Sequence, residues 1–406
     1  MNQRPSTECE RVALLVSAGD EPGVDPYDGL SGTRVPEWVR GHSRARQAVL
    51  QLRKRTPLPL DKVLGVAPKS FAKAEGAKLT AVSRCAFLDD SCGAWPRTAS
   101  RLAERLSGLA LTTASEGGWS YEFDVQTRWA FYPAGSPNLI ATFFVGRGFA
   151  LDGLVRDTLA SRQLFSDACA FMCEQLLRDG DSPYFCYTPT SDRLVHNANL
   201  LGAGIVAAAG AILQREDWVR TALSAALTTV ALQREDGSWA YGEGPGLGWS
   251  DNFHTAYSLD GLLLAYLATG DVRIRAALDR GFAHWSKTFF GPEGAPRYFS
   301  TTRYPYDIHS AGTAVDVAAR LATWEWNAEG LAERVAEWTT RNLVDNVSGL
   351  SYYQKHRLWT DRRHFTRWGD AHLALGYSSL ALLRANERDP LETAVAAASG
   401  VDPRAR

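Results

Sequence analysis

The sequence predicts an all-α chain folded as an (α/α)6 toroid, and three observations carry that prediction. First, a polar group rich in Asn, Asp, His and Arg repeatedly opens an apolar helix full of alanine and glycine, at Ser136, His196, Asp251, Asp307 and Arg367. Second, these starts recur about every 55 to 60 residues, the length of two helices and two loops. Third, a helix with one charged face lies between each pair, so one member of each unit is buried and the other faces water. Helical hairpins of this kind stack around a ring, and small residues on the inner helices let them approach closely.

Residues 1–34 carry Pro, Gly and Asp without periodicity and read as a flexible, loosely docked arm. The toroid is expected over residues 35–385 and a frayed tail over 386–406. From Pro36 to Arg55 a basic amphipathic helix is expected, EWVRGHSRARQAVLQLRKR, read as a solvated outer helix that also suits a peripheral contact with a phosphate or membrane surface. Helices over Ser70–Phe87 and Arg97–Leu111 follow. The repeats proper begin with SPNLIATFFVGRGF, then HNANLLGAGIVAAAG, DNFHTAYSLDGLLLAY, DIHSAGTAVDVAARL and RWGDAHLALGYSSLALL.

The chain has 406 residues and a formal net charge of −1, which implies no general attraction to nucleic acid. No apolar run is long enough to span a bilayer, and the start MNQRPSTECERVALLVSAGD is too charged for a secretory leader, so a cytoplasmic location is expected. Six cysteines form no CxxC pair; Cys169 and Cys173, one helical turn apart, read as a reduced pair. There is no phosphate-binding GxxxxGK[ST], no HExxH and no cysteine set for zinc, so neither cofactor nor metal is expected.

Inner helices of a toroid run parallel, so their first turns and the loops feeding them form one mouth. Asn138, Asn197, Asp251 and Asp307 stand where N-caps belong. Capping does not explain the histidines beside them: His196, His254, His309 and His372, four of the eight in the chain. Their convergence predicts an acid–base site. His254, His309 and Tyr306 are the expected acid and base groups, with Asp251 and Asp307 orienting the histidines. Asp124, Arg128, Asn138, His196, Asn197, Trp249, Tyr353, His356, Arg367, Trp368, Asp370 and His372 are the expected substrate contacts, Arg367 and Asn197 foremost. The 13 Trp, 14 Tyr and 16 Phe crowd into these loops, where they would stack on sugar rings or cage a carbocation.

SYEFDVQTRWAFYPAGSPN, LVHNANLLGA, DNFHT, YPYDIHS and YYQKH…RWGDAH together resemble a bacterial family met in exopolysaccharide and O-antigen biosynthesis clusters, over about Ser115 to Leu383. That resemblance implies a toroid of a polysaccharide biosynthesis pathway and not a particular reaction; a saccharide or glycolipid is the expected substrate. QREDGSW also fits the QxxDGxW repeat of squalene and terpene cyclases, without their DxDD acid motif. The expected function is therefore a carbohydrate-active enzyme of surface polysaccharide or glycoconjugate synthesis, by uronate epimerase or lyase chemistry first and glycoside hydrolysis second. A terpenoid cyclase and a non-catalytic glycan-binding scaffold are the alternatives.

Overall fold

The computed structural model describes residues 7–402, save 21, 57, 59, 90–92, 111–116 and 128. Among these residues twelve helices alternate around a ring. The outer, odd-numbered ones are α1 (Thr7–Ala18), α3 (Ala94–Gly108), α5 (Leu159–Phe171), α7 (Glu216–Val230), α9 (Val272–Thr288) and α11 (Glu329–Leu343). The inner, even-numbered ones are α2 (Ala72–Leu88), α4 (Leu139–Val155), α6 (His196–Ile212), α8 (Asn252–Thr269), α10 (Ile308–Thr323) and α12 (Ala371–Arg384). Contact between α12 and α2 closes the ring. The toroid expected from the repeats is the fold observed.

The two classes differ as their sequences require. Every residue of α4 from Leu139 to Gly153 is buried, whereas α3 buries only Trp95, Ala99, Leu102 and Leu106, the single stripe of an amphipathic helix. Three seams between inner helices are set by glycine. A Cβ on Gly76 would meet the Phe144 carbonyl at 2.6 Å, one on Gly261 the Leu200 oxygen at 2.2 Å, and one on Gly312 the His372 carbonyl at 2.6 Å. Those backbones touch where any side chain would separate them. Gly261→Ala is accordingly expected to destabilise the fold by about 1–3 kcal/mol, read as a lower midpoint in urea at unchanged slope.

Two regions differ from expectation. Residues Thr7–Ala18, placed by sequence in a loose arm, form outer helix α1, with Cys9, Val12, Leu15 and Val16 buried against α12 and α2. The chain then crosses the mouth through Asp25 and a helix over Ser43–Arg55, broken from a short turn at Glu37–Gly41 by extended His42. Residues Pro390–Ser399, placed in a frayed tail, form α13, whose Leu391, Glu392 and Val395 are buried against α4, α6 and α8. Asp389 caps α13 through the Leu391 and Glu392 amides and Gly400 ends it at φ 68°.

The half of the ring interior next to α13 is filled with ions. Arg84, Arg147 and Arg320 meet Asp260, Asp316, Asp389 and Glu392, with Arg147–Asp260 at 2.9 Å, Arg84–Asp389 at 2.7 Å and Arg320–Glu392 at 2.9 Å. All seven are buried. Four carboxyls face three guanidiniums, and the imbalance is met by protonation. Burial and the neighbouring Asp389 push Glu392 up to about 7, against the pull of Arg320. The five cysteines of the described residues form no disulfide. No described helix is long and apolar enough to cross a membrane.

Candidate active site

At the other end of the ring the inner helices begin, and there the axis opens into a cavity of about 1030 Å³. Three inner helices are capped as the sequence predicts. Asn138 accepts from the Ala141 amide, Asp251 from that of His254 and Asp307 from that of His309. Asn197 is not a cap: it is the second residue of α6, whose cap position is Val195, and its side chain lines the cavity with Oδ1 buried and unpartnered.

Asp251 does more than cap. Its Oδ2 also lies 2.8 Å from His254 Nδ1, so one buried carboxylate fixes both the first turn of α8 and the imidazole three residues on. His254 is 22% exposed and Asp251 1%, which leaves Nε2 as the nitrogen available to the cavity. Around this pair the wall is aromatic. Tyr241 stacks on Trp249 at 4.5 Å and 10°, Trp129 lies 5.2 Å from Trp249, and the Tyr241 ring stands edge-on to His254 at 4.8 Å. Trp249 Nε1 is buried without a partner. Tyr132 and Tyr187 stack at 4.7 Å on a neighbouring part of the wall.

The other predicted residues divide. Asp307, Tyr353, His356, Arg367, Trp368 and His372 line the cavity. Asp307 does not orient His309, however. Its oxygens take Trp368 Nε1 at 3.1 Å, Gln354 Nε2 at 2.7 Å and the His309 amide. Burial raises its pKa against those hydrogen bonds. The His309 ring is wholly buried behind the wall, between Trp368 at 4.2 Å and His372 at 3.7 Å, with Nε2 on the Tyr257 hydroxyl at 2.9 Å. Burial, with His372 and Lys73 close by, holds it neutral. His372 is the histidine of this group that reaches the cavity, and neither ring nitrogen meets a partner at hydrogen-bond distance.

Tyr306 points away. It precedes Asp307 on a two-residue strand (Tyr306–Asp307), so the two side chains leave on opposite faces, and Tyr306 packs on Trp338 of α11 with its hydroxyl 3.1 Å from Arg303. His196 also turns outward, to Thr229 and Glu243, while Asp370 receives the Ser351 amide and His364. Asp124 accepts from the Ala134 amide, and neither it nor Asn138 lines the cavity. Arg128 lies outside the described residues. No group of three or more His, Cys, Asp or Glu side chains placed to hold a metal ion occurs among the described residues.

Arg367 is already engaged. Its Nη2 pairs with buried Asp28, whose carboxyl burial raises to about 7 against the guanidinium, while Nε and Nη1 have no partner. Sequence reading missed Lys73, at the second position of α2, and Tyr257, one turn beyond His254; both line the cavity. A lysine in the first turn of an alanine-rich inner helix, FAKAEGAKL, was the available signal, though Glu75 and Lys78 beside it made the stretch read as an ordinary charged helix face. Asp25 and Tyr27, on the segment read as an arm, also reach the cavity and carried none.

Comparison with solved structures places the chain among (α/α)6 toroids. It is similar to an unsaturated glucuronyl hydrolase specific for heparin, at 12% identity over 93% of this chain and 97% of that one, with a TM-score of 0.62. It is similar to cellobiose 2-epimerase from Bacillus thermoamylovorans, at 11% identity, 77% and 89% coverage and a TM-score of 0.58. A GH76 alpha-mannanase from Bacteroides thetaiotaomicron matches at 14% identity, 78% and 87% coverage and 0.62. No family model and no curated protein matches the chain. At these identities the likeness is one of fold.

Proposed function

We propose that the protein is a carbohydrate-active enzyme that moves a proton at a sugar carbon beside a carbonyl or carboxyl group, as in epimerisation or elimination. The observation that carries this reading is the Asp251–His254 pair set against the Tyr241–Trp249 stack in the wall of the cavity. Flat aromatic faces next to polar groups suit the apolar faces of a pyranose. His254 Nε2 takes the proton, and Asp251, held on Nδ1, stabilises the imidazolium that results. His372, neutral because burial and Lys73 lower its pKa well below the usual histidine value, has an N–H to offer a developing oxyanion. His309, expected from sequence as an acid or base, is buried behind it. Asn197 and the free donors of Arg367 orient the sugar.

Hydrolysis by paired carboxylates is the weaker reading, because Asp251 is spent on His254 and Asp307 on Trp368 and Gln354. The sequence resemblance sets this work in surface polysaccharide or glycoconjugate synthesis. A lipid-linked sugar suits the mouth, where the Ser43–Arg55 helix presents Lys54 and Arg55 and leaves Leu52 61% exposed. The test is incubation of aldoses, disaccharides and uronates with the enzyme in deuterated water, read by proton NMR. Wild type and Tyr306→Phe should wash one carbon-bound proton out of the substrate, and His254→Gln should not. Release of saturated sugars without any exchange, and with no unsaturated product, would move the reading to hydrolysis.

A further inference from the structure

In the chemistry above Lys73 acts only on the pKa of His372, and its own place in the cavity is unexplained. Its side chain lines the cavity and the residue is 7% exposed, with no carboxylate at salt-bridge distance among the described residues. The ammonium instead stands over two aromatic faces, 5.0 Å from the Phe144 ring centroid and 5.6 Å from that of Tyr257. Buried lysines without a counter-ion are rare because the charge loses its hydration and gains nothing in return. Arg367 adds to the imbalance, since it is also buried, lines the cavity, and keeps Nε and Nη1 without a hydrogen-bond partner.

Resting on the saccharide reading, we propose that Lys73 is the subsite that receives the carboxylate of an acidic sugar, so that the substrate is a uronate. Such a ligand supplies the missing counter-ion. Arg367, already paired with Asp28, donates from its remaining nitrogens. Tyr257 links the two groups, its ring 5.6 Å from the Lys73 ammonium and 6.5 Å from the His254 ring, so a carboxylate on Lys73 puts the adjoining C–H on the side of His254. The proton beside its carboxylate is the one the ammonium makes acidic. Burial lowers Lys73 to about 7, with Asp25 opposing weakly, so anion binding draws a proton onto the amine. The other titratable groups facing it are Tyr257, His309 and His372. Burial keeps the tyrosine protonated and the two histidines neutral across that range.

The test is titration calorimetry with glucuronate, galacturonate and mannuronate, each beside its neutral parent sugar, on wild type and Lys73→Met. A uronate should bind wild type and lose about tenfold or more in affinity to the variant, while the neutral sugars bind both alike, which also shows that the variant folds. Affinity of wild type for the uronate should fall between about pH 6 and about pH 8 as Lys73 loses its proton in the free enzyme. Ionisation of Asp28 beside Arg367 works in the same direction, and the slope lost in Lys73→Met is the part that belongs to the lysine. Uronates bound equally by both proteins, or neutral sugars bound and uronates refused, would overturn the subsite and leave the saccharide reading standing. Refusal of every sugar by wild type would overturn both.

Discussion

His254→Ala lowers kcat/KM by about 10²- to 10⁴-fold, the usual contribution of a positioned general acid or base. Most of that loss is expected in kcat, since the aromatic wall and Asn197 that hold the sugar are untouched. Asp251→Asn separates the two tasks of the carboxylate. Asparagine can still accept from the His254 amide and cap α8, so the fold should hold. What it loses is the charge on Nδ1, and turnover should fall while the unfolding midpoint stays. Asp251→Ala removes the cap as well, with about 1 kcal/mol of stability. Steady-state rates and thermal unfolding on the three variants check this. A His254→Ala enzyme with unimpaired turnover would remove the histidine from the chemistry.

The second large effect lies at the far end of the axis. Arg320→Met leaves Asp260 with Arg147 alone and takes from Glu392 its closest guanidinium, at a place where every partner is buried. Breaking one member out of a buried ion cluster costs about 3–5 kcal/mol, and that loss in denaturant midpoint is expected here. The cluster also has a pH signature. Burial alone would raise Asp316, but Arg320, Arg84 and Arg147 outweigh it and hold it at about 2. A carboxyl depressed in the folded state contributes stability above its unfolded value of 3.8, lost as pH falls toward about 2. Glu392 runs the other way. Raised to about 7, it contributes stability below its unfolded value of 4.5 that is lost as pH rises through about 7. Glu392→Gln should therefore remove part of the decline toward alkaline pH and leave the acid limb in place.

The inner helices were legible because all-round apolarity over fifteen residues has few other meanings, as in Leu139 to Gly153. The Asp251–His254 pair was legible for a related reason: three residues apart in a first turn, a cap and an imidazole share one face. Tyr306 and Asp307 misled because the cap sits at the end of a two-residue strand, where neighbours point apart. His309 misled because a first-turn histidine can face the cavity or the adjoining helix, and only the packing of α10 on α12 decides. α1 and α13 were read as loose ends although each carried its signal. Cys9, Val12 and Val16 recur at helical spacing, and Asp389-Pro390 with Gly400 marks a start and a stop. Arg147 within FFVGRGF and Asp260 within SLDGLL announced the ion cluster, since a charge in a helix buried all round must find a partner.

The most direct measurement is ligand-induced stabilisation of wild type and Trp249→Ala by uronic acids, neutral oligosaccharides and prenyl diphosphates. A ligand at a hundredfold excess over its Kd stabilises the native state by about 2.7 kcal/mol, enough to move the melting temperature clearly. The account predicts that a saccharide raises the Tm of wild type and that Trp249→Ala loses most of that shift, because the stacking face is gone. Stabilisation by a prenyl diphosphate alone, with every saccharide silent, would contradict it and make the aromatic cavity a site for a carbocation instead.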